Sequence, residues 1–190
     1  MMRPILTCVI CLMASVSAGA AEATMKAHEL AETQLLAEWV GLAEEQFKLA
    51  NIYYLGNGVP RDYTEAAKWY RLAADQGLAK SQHMMGVIYD RGEGVSADAV
   101  KAVAWYREAG ERGHVPAQYE LGNRYANGEG IPQNYAEAYV WFSLAAASGH
   151  PMARKERDRF ARRLSNGEII AAQQRATQLF EKIQQDKTQG

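Results

Sequence analysis

The side chains best able to do chemistry in this sequence are its histidines and serines, and their spacing does not predict a reactive site. His114 and His150 each follow a glycine and stand 36 residues apart, without the paired ligands of a zinc motif such as H-E-x-x-H. Ser81 and Ser143 lie in helical stretches that offer neither a nucleophile elbow nor an evident base. We therefore predict no catalytic residue, no metal site and no cofactor, and hence a protein that is not an enzyme.

Cysteine usage and charge narrow the range of partners. Cys8 and Cys11 both lie in the first 20 residues, so residues 21–190 contain no cysteine and we expect no disulfide there. Those residues carry 20 Lys and Arg, since Arg3 accounts for one of the 21, against 22 Asp and Glu. The basic excess that neutralises nucleic-acid phosphates is absent, and we expect no nucleic-acid partner.

The first 20 residues have the pattern of a cleavable secretory signal peptide. Arg3 precedes a twelve-residue apolar stretch, and Ala18-Gly19-Ala20 is a small-residue cleavage site that predicts a cut after Ala20. The apolar stretch is shorter than the roughly 20 residues that span a bilayer, although an uncleaved N-terminal anchor is the alternative. We expect a periplasmic or secreted protein with no transmembrane segment after cleavage.

A fixed period of 36 residues organises the rest of the chain. Glycine, alanine and tryptophan recur at this spacing, and periods of about 20–50 residues are typical of stacked repeat arrays. The aligned sets include Gly56, Gly92 and Gly128; Gly58, Gly94 and Gly130; Asp62, Asp98 and Asn134; Ala66, Ala102 and Ala138; Trp69, Trp105 and Trp141; and Gly77, Gly113 and Gly149.

Each repeat predicts two helices that pack against each other. In the first repeat, apolar spacing predicts a helix that ends near Leu55, and Gly56 is suited to the left-handed conformation that closes it. Asp62 is the expected N-cap of the second helix, with Glu65 as its capping-box partner. Small residues let the two axes approach, and we expect Trp69 to fill the wedge that remains. Because one pair cannot cover its own apolar face, neighbouring pairs must stack.

The predicted fold is therefore all-α, a helix-pair solenoid of three repeats with a capping element at each end. We place an N-terminal capping helix at 21–42, three repeats of 36 residues at 43–153, and a C-terminal capping helix pair at 154–190 with a loose tail from Gln184. The last helix opens with a capping box between Ser165 and Glu168.

The repeat motif also carries a family resemblance. The third copy has the sequence A-Q-Y-E-L-G-N-R-Y-A-N-G-E-G-I from Ala117 to Ile131. This pattern, followed by A-x-x-W and a closing Gly-His, resembles the Sel-1-like repeat, a relative of the tetratricopeptide repeat. The resemblance implies a right-handed superhelix whose first helices line a concave groove used as a scaffold or adaptor. Exported bacterial members act in envelope signalling, surface-polymer or host-interaction pathways. Some cysteine-rich relatives are linked to β-lactam binding, but their paired cysteines are absent here.

A partner-binding surface is predicted on the exposed stripe of each first helix, the concave face that the resemblance implies. If Leu49 and Tyr53 face the core, the exposed residues are Lys48, Asn51 and Leu55; Met84, Val87 and Arg91; and Glu120, Asn123 and Asn127. We call these nine residues the first-helix stripe. It is apolar near Met84 and Val87 and polar toward the C-terminal end, which suits an extended segment or an amphipathic helix of a partner. The alternative is that its apolar members only pack between repeats.

Two further features carry hypotheses of their own. A basic cluster follows the third repeat, and it predicts an acidic partner or an anionic envelope polymer; the alternative is a solvated helix face. Its members are Arg154, Lys155, Arg157, Arg159, Arg162 and Arg163, interrupted by Glu156 and Asp158. His83 replaces the aromatic residues Phe47 and Tyr119 of the other copies, and we expect it to be half-buried with a pH response.

The function that these features favour is a non-catalytic protein–protein interaction scaffold or regulator in the bacterial cell envelope. We expect a protein or peptide partner rather than a small-molecule ligand. The alternative is an envelope-associated hydrolase or a β-lactam-binding protein.

Overall fold

The computed structural model describes residues 28–189, and every regular element within that range is helical. The predicted signal peptide and the first residues after it lie outside the described range. The helices are α1 (28–40, α-helical over 28–35 and π-helical over Leu36–Val40), α2 (Ala43–Leu55), α3 (Tyr63–Asp75), α4 (Ala79–Arg91), α5 (Ala99–Glu111), α6 (Val115–Asn127), α7 (Tyr135–Ala147), α8 (Ala153–Ala161) and α9 (Asn166–Gln189). The pairs α2–α3, α4–α5 and α6–α7 pack internally, and each pair packs on the next, which confirms the predicted solenoid.

The turn between the two helices of a repeat is closed in the same way three times. The first helix ends at a glycine with positive φ, as at Gly56, whose amide donates to the Ile52 carbonyl. The second helix begins at an N-cap, as at Asp62, whose carboxylate accepts from the amides of Thr64 and Glu65. The expected capping box is wrong, because the Asp62 amide donates to the Tyr53 carbonyl at 2.9 Å and is already satisfied. Equivalent amides at Asp98 and Asn134 donate to the carbonyls of Tyr89 and Tyr125.

In the second and third repeats, the second glycine of Gly-x-Gly has a different task from the first, whereas a Cβ atom at Gly58 would meet open space. A Cβ atom at Gly94 would overlap the carbonyl group of Tyr63, at the start of the preceding repeat's second helix. At Gly130 it would overlap the carbonyl of Ala99 in the same way. The loop therefore lies directly on the neighbouring repeat, and only a residue without a side chain permits this approach.

The wedge inside each repeat is filled by the aromatic residue that follows the tryptophan, so the expectation for Trp69 was wrong. Tyr70, Tyr106 and Phe142 are buried, whereas Trp69 and Trp105 are half-buried between repeats. A Cβ atom at Gly86 would overlap the Tyr106 ring. At Gly122 it would come within 2.8 Å of the Phe142 ring. The small residues on the first helices are there to admit these rings.

A buried glutamine ties each repeat to the helix before it. The side-chain amides of Gln46, Gln82 and Gln118 donate to the carbonyls of Ala37, Ala74 and Gly110, at 3.4, 3.2 and 3.0 Å. These carbonyls lie near the end of the preceding helix, where intrahelical donors run out. The fourth equivalent position is Arg154, which is exposed, and the register of the repeats ends there.

The C-terminal cap consists of the two helices α8 and α9, and the predicted loose tail is the part that differs. Helix α9 packs mainly on α7 rather than forming a hairpin with α8, and Ile183 lies buried against Gly113. The residues predicted as a loose tail are helical as far as Gln189. The capping box at Ser165 and Glu168 is confirmed, with reciprocal hydrogen bonds between the two residues. Over residues 28–189, no helix combines the length and the apolar content needed to cross a bilayer.

Candidate partner-binding surface

The first-helix stripe is divided between exposed and half-buried side chains. Lys48, Leu55, Arg91 and Asn127 are exposed, and Asn51, Met84, Val87, Glu120 and Asn123 are half-buried. Met84 packs against the core cluster of the first two repeats and Val87 against that of the last two. Each of these two side chains therefore contributes to packing and still presents part of its surface to solvent.

The middle of the stripe opens into a small cavity between α4 and α6. Its volume is about 260 Å³, and it brings together three of the nine predicted residues, Val87, Arg91 and Glu120. The other lining residues are Asp90, Tyr106 and Arg124. The cavity thus has an aliphatic side at Val87 and otherwise consists of hydrogen-bonding and charged groups.

Arg124 links the two repeats across this cavity. Its guanidinium forms an ion pair with Asp90 on α4 and donates a second hydrogen bond, of 2.6 Å, to Glu129. The Tyr106 hydroxyl donates to the same Asp90 carboxylate at 2.7 Å. Burial, reinforced by that hydrogen bond, raises the pKa of Tyr106 and keeps the hydroxyl protonated as a donor. Both groups that donate to Asp90 are therefore fixed in place before any partner arrives.

Sequence reasoning missed Asp90, Tyr106 and Arg124 as members of this surface, although one signal was present. Arg124 stands at the position that Ile52 and Ile88 occupy in the earlier repeats. Ile88 is fully buried, and a cation at such a position needs a carboxylate partner. A departure from the repeat pattern at a core position was thus the clue to a charged site.

The N-terminal part of the stripe has most of its polar groups already engaged. The Asn51 amide donates to the Phe47 carbonyl, and its oxygen accepts from Tyr70 at 2.7 Å. Lys48 pairs with Glu45 at 2.7 Å. Asn51 therefore serves the packing of its own repeat, while the exposed Leu55 and the aliphatic part of Lys48 remain available for contact.

A second polar link joins the first two repeats beside Arg91. The Tyr54 hydroxyl donates to Glu93 at 2.8 Å, and the Arg91 guanidinium donates to the same hydroxyl at 3.3 Å. Tyr54 and Asp90 are equivalent positions, so a polar bridge recurs at both repeat boundaries on this face, and Lys80 with Glu44 adds an ion pair at the first boundary. These bridges hold adjacent first helices in a fixed relation.

Two half-buried histidines from different helices lie side by side, although no pair of histidines stands at metal-ligand spacing in the sequence. The ring centroids of His83 and His114 lie 4.8 Å apart, and the Tyr106 ring is 5.7 Å from His83. Burial, with a smaller contribution from His114, lowers the pKa of His83 to about 4. Burial also lowers the pKa of His114. No group of three or more metal-ligating side chains occurs in the part of the chain that the structure describes.

The basic cluster lies on α8 and in the turn after it. Glu156 pairs with Arg159 at 3.2 Å, and Asp158 pairs with Arg157 at 2.6 Å. Arg163 donates to the Tyr135 hydroxyl at 3.0 Å and covers its ring. The remaining members, Arg154, Lys155 and Arg162, are exposed. The cluster is thus partly an ion-paired helix surface and partly a row of solvated cations.

Comparison with known proteins supplies the family. A search against protein families matches the Sel1 repeat at residues 46–78, 79–114 and 115–150. A search of functionally curated proteins finds no match. Among solved structures, the chain is similar to a Sel1 repeat protein from Oxalobacter formigenes, with 34% identity and a TM-score of 0.64 over 68% of this chain and 97% of that one.

Two other structures are similar over most of this chain. One is c5321, a protective antigen present in uropathogenic Escherichia coli strains that displays an SLR fold, with 29% identity and a TM-score of 0.73 over 81% of this chain. This chain spans a third of its length, as 33% of that antigen is covered. The other is cysteine-rich protein B from Helicobacter pylori, with 18% identity and a TM-score of 0.53 over 70% of this chain and 93% of that one, which shows the fold alone.

Three matched repeats cover more than half of the sequence, and the helices that they form stack as a solenoid with polar links at each boundary. Sel1 repeats are generally protein-interaction scaffolds and are typically non-enzymatic. On these grounds the chain belongs to the Sel1 repeat family.

Proposed function

We propose that this protein is a non-catalytic scaffold or regulator of the bacterial cell envelope, which binds a partner segment along the first-helix stripe. The observation that carries the proposal is the cavity between α4 and α6, where Val87, Arg91 and Glu120 converge on the ion pair of Arg124 and Asp90. A cavity of this size accepts one side chain of a partner. The exposed Leu55 and the partly exposed Met84 extend the apolar surface toward the N-terminal repeat.

Preorganisation supports binding at this face. The polar bridges at Tyr54–Glu93 and Asp90–Arg124 hold adjacent first helices before a partner arrives, so little ordering entropy remains to be lost on association. An extended segment or an amphipathic helix bound along the stripe would contact residues of all three repeats. Specificity then comes from the alternation of apolar and charged positions rather than from a single pocket.

The envelope location is proposed from the leader sequence. Arg3, the apolar stretch and the Ala18-Gly19-Ala20 site together have the features of an exported precursor. N-terminal sequencing of the protein from fractionated cells should find Ala21 as the first residue in the periplasmic or culture fraction. An intact Met1 in the membrane fraction would instead support the uncleaved anchor.

The partner-binding proposal is tested by replacing Met84 and Val87 together with glutamate in residues 21–190. Bait protein is used to capture partners from an envelope extract, and the captured protein is then titrated by surface plasmon resonance. The matched control replaces Leu72 and Val100, two exposed apolar residues outside the stripe, with glutamate. We expect the stripe variant to lose binding by about 100-fold or more, because two apolar contacts become charged, and the control variant to bind normally.

Circular dichroism and thermal melting must show that the stripe variant is folded, since both residues are half-buried. Arg91→Glu provides a milder change at an exposed position and should weaken binding without affecting the fold. Normal binding by both folded variants would exclude the stripe. Robust nitrocefin turnover by the purified protein, abolished by one polar substitution, would favour the hydrolase or β-lactam-binding alternative.

A further inference from the structure

The outer surface of α7 differs from that of the equivalent helices α3 and α5. Three positions that face solvent or remain half-exposed in the first repeat, Lys68, Arg71 and Leu72, become Val140, Ser143 and Leu144 in the third. Val140 and Leu144 are buried, because α9 lies across them with Ala172 and Ala176 in the same core cluster. Arg175 on α9 pairs with Glu137 at 3.1 Å and fixes the crossing.

Helices α8 and α9 both pack on α7, and they leave a groove between them. Its volume is about 500 Å³, within the range of about 300–1,000 Å³ that ligand sites occupy. We call it the C-terminal groove; α7 forms its floor with Tyr139, Ser143, Leu144 and Ala147, α8 contributes Arg157, and α9 contributes Gln173, Ala176, Thr177 and Phe180. None of these residues belongs to the first-helix stripe.

The floor of the groove is polar only in groups that are already satisfied. The Ser143 hydroxyl donates to the Tyr139 carbonyl at 2.7 Å, and the Gln173 amide donates to the Tyr139 hydroxyl at 3.2 Å. Beside these bonds, the exposed Ala147 and the half-buried Phe180 present apolar surface to the opening. The floor therefore suits an apolar side chain.

The edge formed by α8 is cationic. Among the residues that the structure describes, Arg157 is the one charged residue that lines the groove. Arg154 lies just outside the lining, one helical turn earlier on the same side of α8. Asp158 pairs with Arg157, but that carboxylate is half-exposed, and an exposed ion pair contributes at most about 1 kcal/mol and exchanges readily. The Cβ atoms of Arg154 and Arg157 are separated by one turn, roughly 5–6 Å. Alternate side chains of an extended peptide are spaced by roughly 6–7 Å.

We propose that the C-terminal groove binds an acidic, extended segment of a partner protein, with two carboxylates at alternate positions on Arg154 and Arg157 and a neighbouring apolar side chain on the floor. This site gives the basic cluster a ligand, and it is independent of the first-helix stripe. A small anion would satisfy only one of the two cations, and a polyanion without apolar groups would leave the floor uncovered.

The test uses residues 21–190 and a fluorescein-labelled peptide in which two glutamates, separated by one residue, are followed by leucine and phenylalanine. Fluorescence anisotropy should show saturable binding that weakens as salt is raised, because the contacts with Arg154 and Arg157 are exposed. The same peptide with glutamines in place of the glutamates should bind about tenfold more weakly. Replacing Arg154 and Arg157 with glutamate should weaken the acidic peptide by about tenfold or more and improve binding of a lysine-containing version.

Two matched controls separate the groove from general charge effects. Arg61→Glu with Lys68→Glu makes the same charge change on exposed residues of the first repeat and should leave binding unchanged. Thr177→Trp fills the groove and should abolish binding, whereas Gln178→Trp places the same side chain at the next position of α9, outside the groove. Gln178→Trp should bind like the unaltered protein, and circular dichroism should show both tryptophan variants to be folded.

Four results would overturn the proposal. The first is equal affinity for the glutamate and glutamine peptides. The second is an affinity for polyglutamate, which has no apolar residues, equal to that for the acidic test peptide. The third is self-association of the protein that Thr177→Trp abolishes, because the groove would then hold a second copy of this chain. Loss of binding in the Met84→Glu/Val87→Glu variant would place the peptide on the first-helix stripe instead and would also contradict the proposal.

Discussion

The outer surfaces of α3 and α7 occupy equivalent positions in the repeat and have opposite relations with solvent. Leu72 on α3 is 47% exposed, whereas its equivalent on α7, Leu144, is 2% exposed. The tryptophans follow the same trend, because Trp69 is half-buried and Trp141 is 3% exposed. The repeat pattern determines the contacts inside every helix pair. The residues on the outer surface of the second helix vary between repeats, and they are apolar where another helix packs on that surface.

Deletion of α9 tests this comparison most severely. A chain ending at Leu164 would expose Val140, Trp141 and Leu144 together, and each large apolar side chain contributes about 1.5–3 kcal/mol when fully buried. We expect a loss of several kcal/mol in the free energy of unfolding, measured by urea denaturation, together with a tendency to aggregate. Unfolding at the same urea concentration as the full chain would show that α9 is not part of the core.

Single leucine substitutions compare the contribution of each outer surface to the free energy of unfolding. Leu144→Ala should reduce the free energy of unfolding by about 2–5 kcal/mol, since it leaves a cavity under α9. Leu72→Ala removes the same atoms from an exposed site and should change it by less than about 0.5 kcal/mol. Parallel urea titrations measure both, and equal losses would mean that α9 does not distinguish the repeats.

Lowering the pH should reduce the stability of the middle repeats, at α4 and α6, more than that of α7, which α9 covers. The pKa of His83 is lowered to about 4 by burial and His114, while an unfolded histidine titrates near 6.5. Between these values the unfolded chain binds more protons, so stability falls as pH falls from about 6.5 to about 4. We expect a smaller loss than for Leu144→Ala, because both imidazoles are only half-buried.

Hydrogen exchange can locate this acid effect. Amides of α4 and α6 should lose protection at pH 5 relative to pH 7, after correction for intrinsic rates, while those of α7 keep theirs. His83→Phe restores the residue type of Phe47 and should remove most of the pH dependence. A pH dependence that survives this substitution would assign the effect to other groups.

The smallest expected effect concerns the start of α9. Ser165→Ala removes the hydroxyl that accepts from the Glu168 amide and should reduce the free energy of unfolding by about 1 kcal/mol. The matched change Asp62→Ala at the N-cap of α3 should have a similar cost. A much larger cost at Ser165 would show that this cap determines how α9 docks on α7.

The fold was predictable because its contacts recur at a constant spacing. The ends of the first helices at Gly56, Gly92 and Gly128 and the N-caps of the second helices followed from local backbone chemistry. The residue that fills the wedge was predicted as Trp69 and is Tyr70. The two are adjacent in the sequence and lie on either side of the packed face, so helical periodicity alone does not distinguish them. The docking of α9 was missed although α7 carries apolar residues on every side, a pattern typical of a helix that is covered all round.

The candidate site was less accessible to sequence reasoning. The nine stripe residues follow from helical geometry, but the position of each side chain depends on a neighbour in the adjacent repeat. The meeting of Arg124 with Asp90 and that of His83 with His114 both join residues from different helices. The partners in such pairs are identified once the repeats are stacked, although the arginine at a core position of the third repeat already signals a charged site in the sequence.

The glycine that lets each loop lie on its neighbour, as at Gly94 and Gly130, has a consequence for how such a chain can lengthen. Every joint between units uses the same backbone approach, so a duplicated unit inserted before α6 would meet matching surfaces on both sides. A repeat added after α7 would have to displace α9 from the surface of α7 on which it packs. We therefore expect the array to accept additional repeats between existing ones more readily than after α7.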